Sequence, residues 1–415
     1  MESRRSGNTD GNTGTSNYAA SATRNPDYIY LDNAATTRLD ERVLEAMKPY
    51  FFETYAVATS EFAYSMGLEA REALENARAQ LAAKLGASAE EIVFTSDPTE
   101  SSNLAIMGVV RALGSEKEPR LVTTAIEDFP VLNVFKALER SGYDVTFVPV
   151  DGDGFVDEGA FAAALEAPGP LIVSVQHANQ EIGTVQDIAR LAAMAKERGA
   201  IVHTDATHTF TRVPLDVATT PVDLVTIASH TIHGPRGIAA LYVRDGTPIK
   251  KILEGGYQER NLRPGTENIP GAVGFATAAD LVTEEENARL REMRDFLIDR
   301  FLASVPDTVL NGHRTRRIPH NANITFRFVE GESLTLHLDF NRIAVSTGSA
   351  CFSKSLEASH VILAIGGDHE RAHGSLRFTL SRFNTIEQLE KVVEVTSDVV
   401  ARLREISPLG KEGRA

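Results

Sequence analysis

The stretch from Ile201 to Arg244, IVHTDATHTFTRVPLDVATTPVDLVTIASHTIHGPRGIAALYVR, decides the fold. A short apolar run breaks at His203-Thr204-Asp205. A second, Asp223 to Ile227, breaks at Ala228-Ser229-His230-Thr231, and a third, Ile238 to Val243, follows the turn His233 to Gly237. Short buried strands that each end in polar residues describe a parallel sheet whose carboxyl ends line a ligand crevice. The pattern therefore predicts Asp205, His208, His230 and His233 near one crevice.

Outward from this stretch, strands and helices alternate. Strands are expected at 28–31, 91–95, 120–124, 144–149 and 171–176, with helices at about 40–52, to Leu85 from a capping-like Ser65, 103–113, 131–141, 157–166 and 187–198. That is a doubly wound α/β pattern. The polar turn Ser96 to Ser102, lying between a strand and the helix opening at Asn103, makes a ready anion site or an ordinary cap. From Ile269 a long helix is expected to run to about Leu302. Strand-like 321–328, helix 332–340, loop 346–352, strand 374–380 and helix 385–405 then form a smaller α+β unit. The expected division is a tail over 1–27, a large α/β domain over 28–268 and a small domain over 269–415. The first strand and helix are candidates for packing with the small domain.

The bulk numbers narrow the function. At 415 residues, 42% of them hydrophobic, the chain can bury a substantial core. A formal charge of −15 argues against nucleic acid or an anionic membrane as the main partner, and leaves room for a small anionic ligand in a local site. No apolar run reaches the roughly 18 residues of a membrane span, and the first residues lack the apolar core of a secretory leader, so the cytoplasm is the expected compartment. The lone cysteine, Cys351, excludes an intrachain disulfide.

Several polar breaks line up: Asn179 in HANQEIG, Asp205 in HTDATH, Arg260 and Thr266 in GGYQERNLRPGTEN, Cys351 in VSTGSACFS, and Arg377 in SLRFTLSRFN. From YLDNAATT to SRFNT, nearly the whole chain after the tail resembles the cysteine desulfurases, pyridoxal-phosphate enzymes of the class V aminotransferase group with fold type I. The resemblance implies a mostly parallel mixed sheet in a large domain and a smaller α+β carboxyl-terminal domain. It gives Asp205 the ring nitrogen, a carboxylate that keeps the ring protonated as an electron sink, and Asn179 the ring hydroxyl. Thr99 and His230 match phosphate-side residues, and Thr266 matches one lent across a homodimer interface. Arg377 matches the fork that holds the carboxylate of L-cysteine. Cys351 matches the thiol that takes the sulfur as a persulfide.

The departures concentrate on the cofactor. Thr231 occupies the position of the lysine that forms the Schiff base, and a hydroxyl cannot form an imine. Arg236 is no substitute, because a guanidinium stays protonated. Glu127-Asp128 stands for a Glu-His pair, His208 for a glutamine, Ala228 for a hydroxyl residue, and Asp97-Pro98 for a Gly-Ala dipeptide. The core of the thiol loop, Ser346 to Cys351, is unaltered.

The main reading is a lysine-less desulfurase homologue of sulfur mobilisation or iron–sulfur cluster assembly. Cys351 would carry sulfur to an acceptor, or ligate an iron–sulfur cluster against a scaffold protein. The alternative is a working pyridoxal-phosphate enzyme that turns L-cysteine into L-alanine with His208 or His230 as base. A third reading takes His203, His208, His230, His233 and Asp205 as a zinc or iron site, or the chain as a structural partner; in it the histidines compete with an ordinary structural role.

Overall fold

The computed structural model describes residues 28–60, 64–114, 119–166, 169–348 and 358–406. Strand β1 (Ile29–Tyr30) stands apart from the main sheet, which comprises β2 (Ile92–Thr95), β3 (Arg120–Thr124), β4 (Val145–Val148), β5 (Leu171–Ser174), β6 (Ile201–Asp205), β7 (Leu224–Ala228) and β8 (Ala239–Val243). Their order is β2-β8-β7-β6-β5-β3-β4. A second sheet orders β12 (Ser346–Thr347), β13 (Ser375–Thr379), β10 (Asn321–Phe326) and β9 (Thr308–Asn311), while β1 pairs in parallel with β11 (Ile343–Ala344).

The sheet is mixed and mostly parallel, as the resemblance implies. One expectation fails within the opening stretch: β8 runs antiparallel to both β7 and β2. The cause is the connection. Only residues 229–238 separate β7 from β8, too few for the helical crossover that returns a chain to a parallel neighbour.

The helices used below are α1 (Glu41–Met47), α2 (Ser65–Leu85), α3 (Pro98–Leu113), α4 (Phe129–Arg140), α5 (Ile188–Lys196), α6 (Ile269–Asp280), α7 (Glu284–Ser304), α8 (Gly331–Phe340), α9 (His360–Ala364) and α10 (Ile386–Ile406). The helix expected over 40–52 stops at Met47 and restarts at Pro49 as a separate short turn, since proline suits a first helical position. Ser65 is the first helical residue of α2 rather than its cap. Helix α3 starts five residues before the Asn103 expected, at Pro98, with Asp97 as its cap. The long helix expected from 269 to 302 is two helices, because Thr283 caps α7 by accepting from the Glu286 amide.

Four apolar clusters form among the described residues, and the two largest belong to different sheets. The first gathers Val43, Leu74, Leu81, Val173, Val202 and Ile227 with Ile269, Phe275 and Val282. The second gathers Ile29, Leu31, Leu297, Phe301, Ile324, Phe378 and Val400. By core membership Val282 belongs to the first cluster and Leu290 to the second. Strand β1 joins the smaller core, whereas α1 packs Val43 and Met47 into the larger one. Each fully buried leucine, isoleucine or phenylalanine contributes on the order of 1.5–3 kcal/mol, so an apolar face as extensive as that of α6 settles which core the helix joins.

Candidate functional site

The carboxyl ends of β2, β3, β5, β6 and β7 converge, and their polar breaks meet there. Asp205 closes β6, and its Oδ1 accepts from the Thr207 amide at 2.9 Å. Burial raises its pKa above the ordinary carboxylate value. Asp128 caps α4, accepting from the Phe129 amide at 2.7 Å, and burial with the nearby Asp205 charge lifts it to about 6. Glu127, fully buried, accepts from the Thr124 hydroxyl and the Gln176 amide at Oε1; its Oε2 has no partner, and burial pushes it to about 8.

Arg377, on β13, donates to Asp32 Oδ1 at 2.9 Å, while its buried Nε has no partner. Its charge is felt by Asp128, Glu181 and His208. His208 is buried with Nδ1 unpartnered, and burial, reinforced by Arg377 and His230, drives its pKa down to about 3. Burial also lowers His230, partly opposed by Asp97. Asp205, Asp128, Arg377, His208, His230 and Asp97 therefore form one electrostatically linked group.

The remaining expected residues are placed differently. Asn179 is tied to the backbone: its Nδ2 donates to the Ile126 carbonyl at 2.9 Å, and its Oδ1 accepts from the amides of Glu181 and Ile182. Thr99 sits exposed in the first turn of α3, where its amide donates to Asp97 Oδ1 at 2.8 Å. The carboxylate thus takes an amide that an anion at this helix start would use. Thr266 is exposed and makes no hydrogen bond to the other site residues described. Cys351 lies outside the described residues.

Thr231 is buried, and its hydroxyl donates to the Thr207 carbonyl at 2.8 Å. Behind it, Arg212 donates from a terminal nitrogen to the Thr231 carbonyl at 3.5 Å. Nothing in the sequence pattern singles out Arg212, a lone cation after a strand end. Glu181 was missed as well. It is buried, its pKa is raised to about 7 by burial, and its side chain would have to move to admit a Cβ at Gly348. His320 is a third omission: both of its buried ring nitrogens lack partners, within electrostatic range of Arg212 and His208.

Two of the four clustered histidines meet ordinary protein partners. His203 bonds Ser174 and Thr226, and His233 bonds the Arg38 carbonyl. Among the described residues no group of three or more His, Cys, Asp or Glu is placed to hold a metal ion, which corrects the zinc or iron reading of this set.

A model of the family described as aminotransferase class-V matches residues 29–392. A protein of Dictyoglomus turgidum named cysteine desulfurase IscS is 44% identical over 387 residues, covering 92% of this chain and 97% of its own. A solved structure titled NifS-like protein superposes with a TM-score of 0.84 at 33% identity, covering 91% of this chain and 100% of its own. Another, titled SspA in complex with cysteine, gives 0.77 at 31% identity, covering 86% and 100%.

Proposed function

The chain belongs to the aminotransferase class-V family, among the cysteine desulfurases, and on that premise we propose a protein of sulfur mobilisation and iron–sulfur cluster assembly that works without lysine-linked pyridoxal phosphate. The observation that carries the reading is Thr231, buried at the lysine position with its hydroxyl committed to Thr207.

The family is one of pyridoxal-phosphate enzymes, and the residues here do not fit that group. The first turn of α3 faces its own carboxylate, Asp97, which already takes the Thr99 amide, so a phosphate dianion there would meet like charge and find one donor fewer. Asp128 stands where a stacking imidazole is implied and is itself coupled to Asp205. His208, with its pKa near 3, is a poor stand-in for the missing base at neutral pH, because a useful base titrates close to the working pH. That weighs against the alternative of slow turnover through a histidine.

Arg377 remains suited to the carboxylate of L-cysteine, and a related structure is titled as a complex with cysteine. Cys351 then serves as a sulfur acceptor whose thiolate takes the outer sulfur of a donor persulfide while the donor leaves as a thiolate, or as a cluster ligand facing a scaffold partner. A homodimer is supported by exposed Phe52 and Tyr55, 77% and 67% accessible, which suit burial against a second copy. No helix among the described residues is long and apolar enough to cross a membrane; we assign the protein to the cytoplasm.

The test supplies full-length protein with L-cysteine and pyridoxal phosphate, then separately with cysteine persulfide. The expected result is no sulfide release above a Cys351→Ala control in the first experiment and one added sulfur on Cys351 by mass spectrometry in the second. Multiple turnovers of sulfide in the first would restore the enzyme reading. An unmodified Cys351 in the second would remove the carrier role.

A further inference from the structure

A cavity of about 450 Å³ opens beside the segment that follows β6, lined by Arg212 to Leu215 among others. Its walls carry Arg212, Arg291, Arg316 and Arg317 with His177, against Asp187 as the acidic lining residue. Such a cationic concentration is unexpected in a chain of formal charge −15.

Arg291 pairs with Glu284, and the other three arginines are poorly neutralised. Arg317 is buried and donates only to the carbonyls of Ile182, Asn311, His313 and Asn321 and to the Asn321 side chain. Taken out of water without a carboxylate, its pKa is pulled down to about 9. Arg316 lies over the Phe155 ring at 4.4 Å and has no carboxylate partner among the described residues. Arg212, its side chain 2% exposed, reaches Glu286 at 3.3 Å, but Glu286 is also held by Arg382 at 2.8 Å. The Nε of Arg212 is buried without a partner. Asp187 spends an oxygen capping α5, accepting from the Arg190 amide. Unpaired buried donors of this kind are costly unless something accepts from them.

We propose that this cleft is a binding site for a small molecule bearing oxyanion groups, a phosphate or a dicarboxylate, gripped by Arg212 and Arg316 over the Arg317 floor. The volume lies in the range of small-molecule sites, and guanidinium forks match planar carboxylate and tetrahedral phosphate alike. Through the Arg212 contact with the Thr231 carbonyl, the ligand would sit directly behind the altered lysine position.

The test is calorimetric titration of the full-length chain with inorganic phosphate and with succinate. Saturable binding of one anion per chain is expected, weakened about tenfold or more by Arg316→Glu and by Arg212→Gln, as loss of a charge-assisted contact requires. Arg316 is exposed, so its variant should fold even where the buried Arg212 variant does not. Arg314, which pairs with Asp295 and Asp299 and does not line the cleft, supplies the control Arg314→Glu, expected to bind normally. Tighter phosphate points to a phosphorylated ligand, and tighter succinate to a dicarboxylate. Absence of saturable binding for both anions, or equal weakening by Arg314→Glu and Arg316→Glu, overturns the proposal.

Discussion

The Thr231 hydroxyl donates to the Thr207 carbonyl across 2.8 Å, with both residues buried at the carboxyl edge of the main sheet. On the proposed reading this bond ties the lysine position into the loop that follows Asp205, so an amine alone should not restore the cofactor site. Thr231→Lys should lower stability by about 1–3 kcal/mol, since a cation enters beside Arg212 and unpaired histidine nitrogens. With added pyridoxal phosphate it should give no imine absorbance. The double variant Thr231→Lys, Asp97→Ala should give that absorbance, because the opposing carboxylate is gone. A full band from the single variant would show that Asp97 is no obstacle.

Asp97 itself has two measurable roles. Its Oδ1 accepts from the Thr99 amide at the start of α3, so Asp97→Ala should cost about 0.5–2 kcal/mol in denaturant unfolding. The same carboxylate raises the His230 pKa against the effect of burial. Removing it should lower the His230 titration midpoint, read from the imidazole proton shift in an NMR titration. A midpoint that stays put would place Asp97 too far from the ring to matter.

Much of this was legible in the sequence, and the failures have physical causes. Apolar runs reveal that a strand exists but carry no sign of its direction, so β8 was assigned with its parallel neighbours when the short link from β7 already forbade it. The hydroxyl-rich turn 96–102 concealed a helix start that Asp97-Pro98, a cap followed by proline at the first position, announces. What no local pattern could reveal was Asp32 turning back onto Arg377, or Arg212 behind Thr231, because both depend on segments brought together only by folding.

The pH profile of stability follows from two opposed sets of buried groups. Burial holds His177 near 4 and His203, His208 and His233 near 3, against an ordinary 6.5. The unfolded chain binds more protons than the folded one between those values, so stability rises from about pH 3 to 6.5. Glu127, Glu181 and Asp128 are raised to about 8, 7 and 6. For them the folded chain binds more protons above the ordinary carboxylate range, so their contribution is full in acid and is lost as pH climbs through the folded values. Stability should peak near pH 6.5 and decline toward 8. Glu127→Gln, which cannot ionise, should flatten the decline between 6.5 and 8 in urea unfolding; an unchanged slope would mean that Glu127 does not titrate there.

Arg377 and Asp32 make the last case. The guanidinium that suits a substrate carboxylate already holds one, Asp32 Oδ1 at 2.9 Å, with the arginine side chain 8% exposed and the aspartate 22%. On the proposed reading an incoming L-cysteine would compete with that internal carboxylate, and the pair would set affinity as well as position. Asp32→Asn retains size and a hydrogen-bond acceptor but gives up the charge, and should tighten L-cysteine binding several-fold, by roughly the 0.5–1.5 kcal/mol that separates charged from neutral acceptors. Arg377→Gln should abolish binding, and it should destabilise the fold by leaving Asp32 without its cation. Calorimetry with L-cysteine, with L-alanine as a thiol-free comparison, separates the outcomes. If Asp32→Asn binds no better than the wild type, Arg377 does not hold the amino acid by its carboxylate. The contact would then serve to pin the segment after β1 to β13.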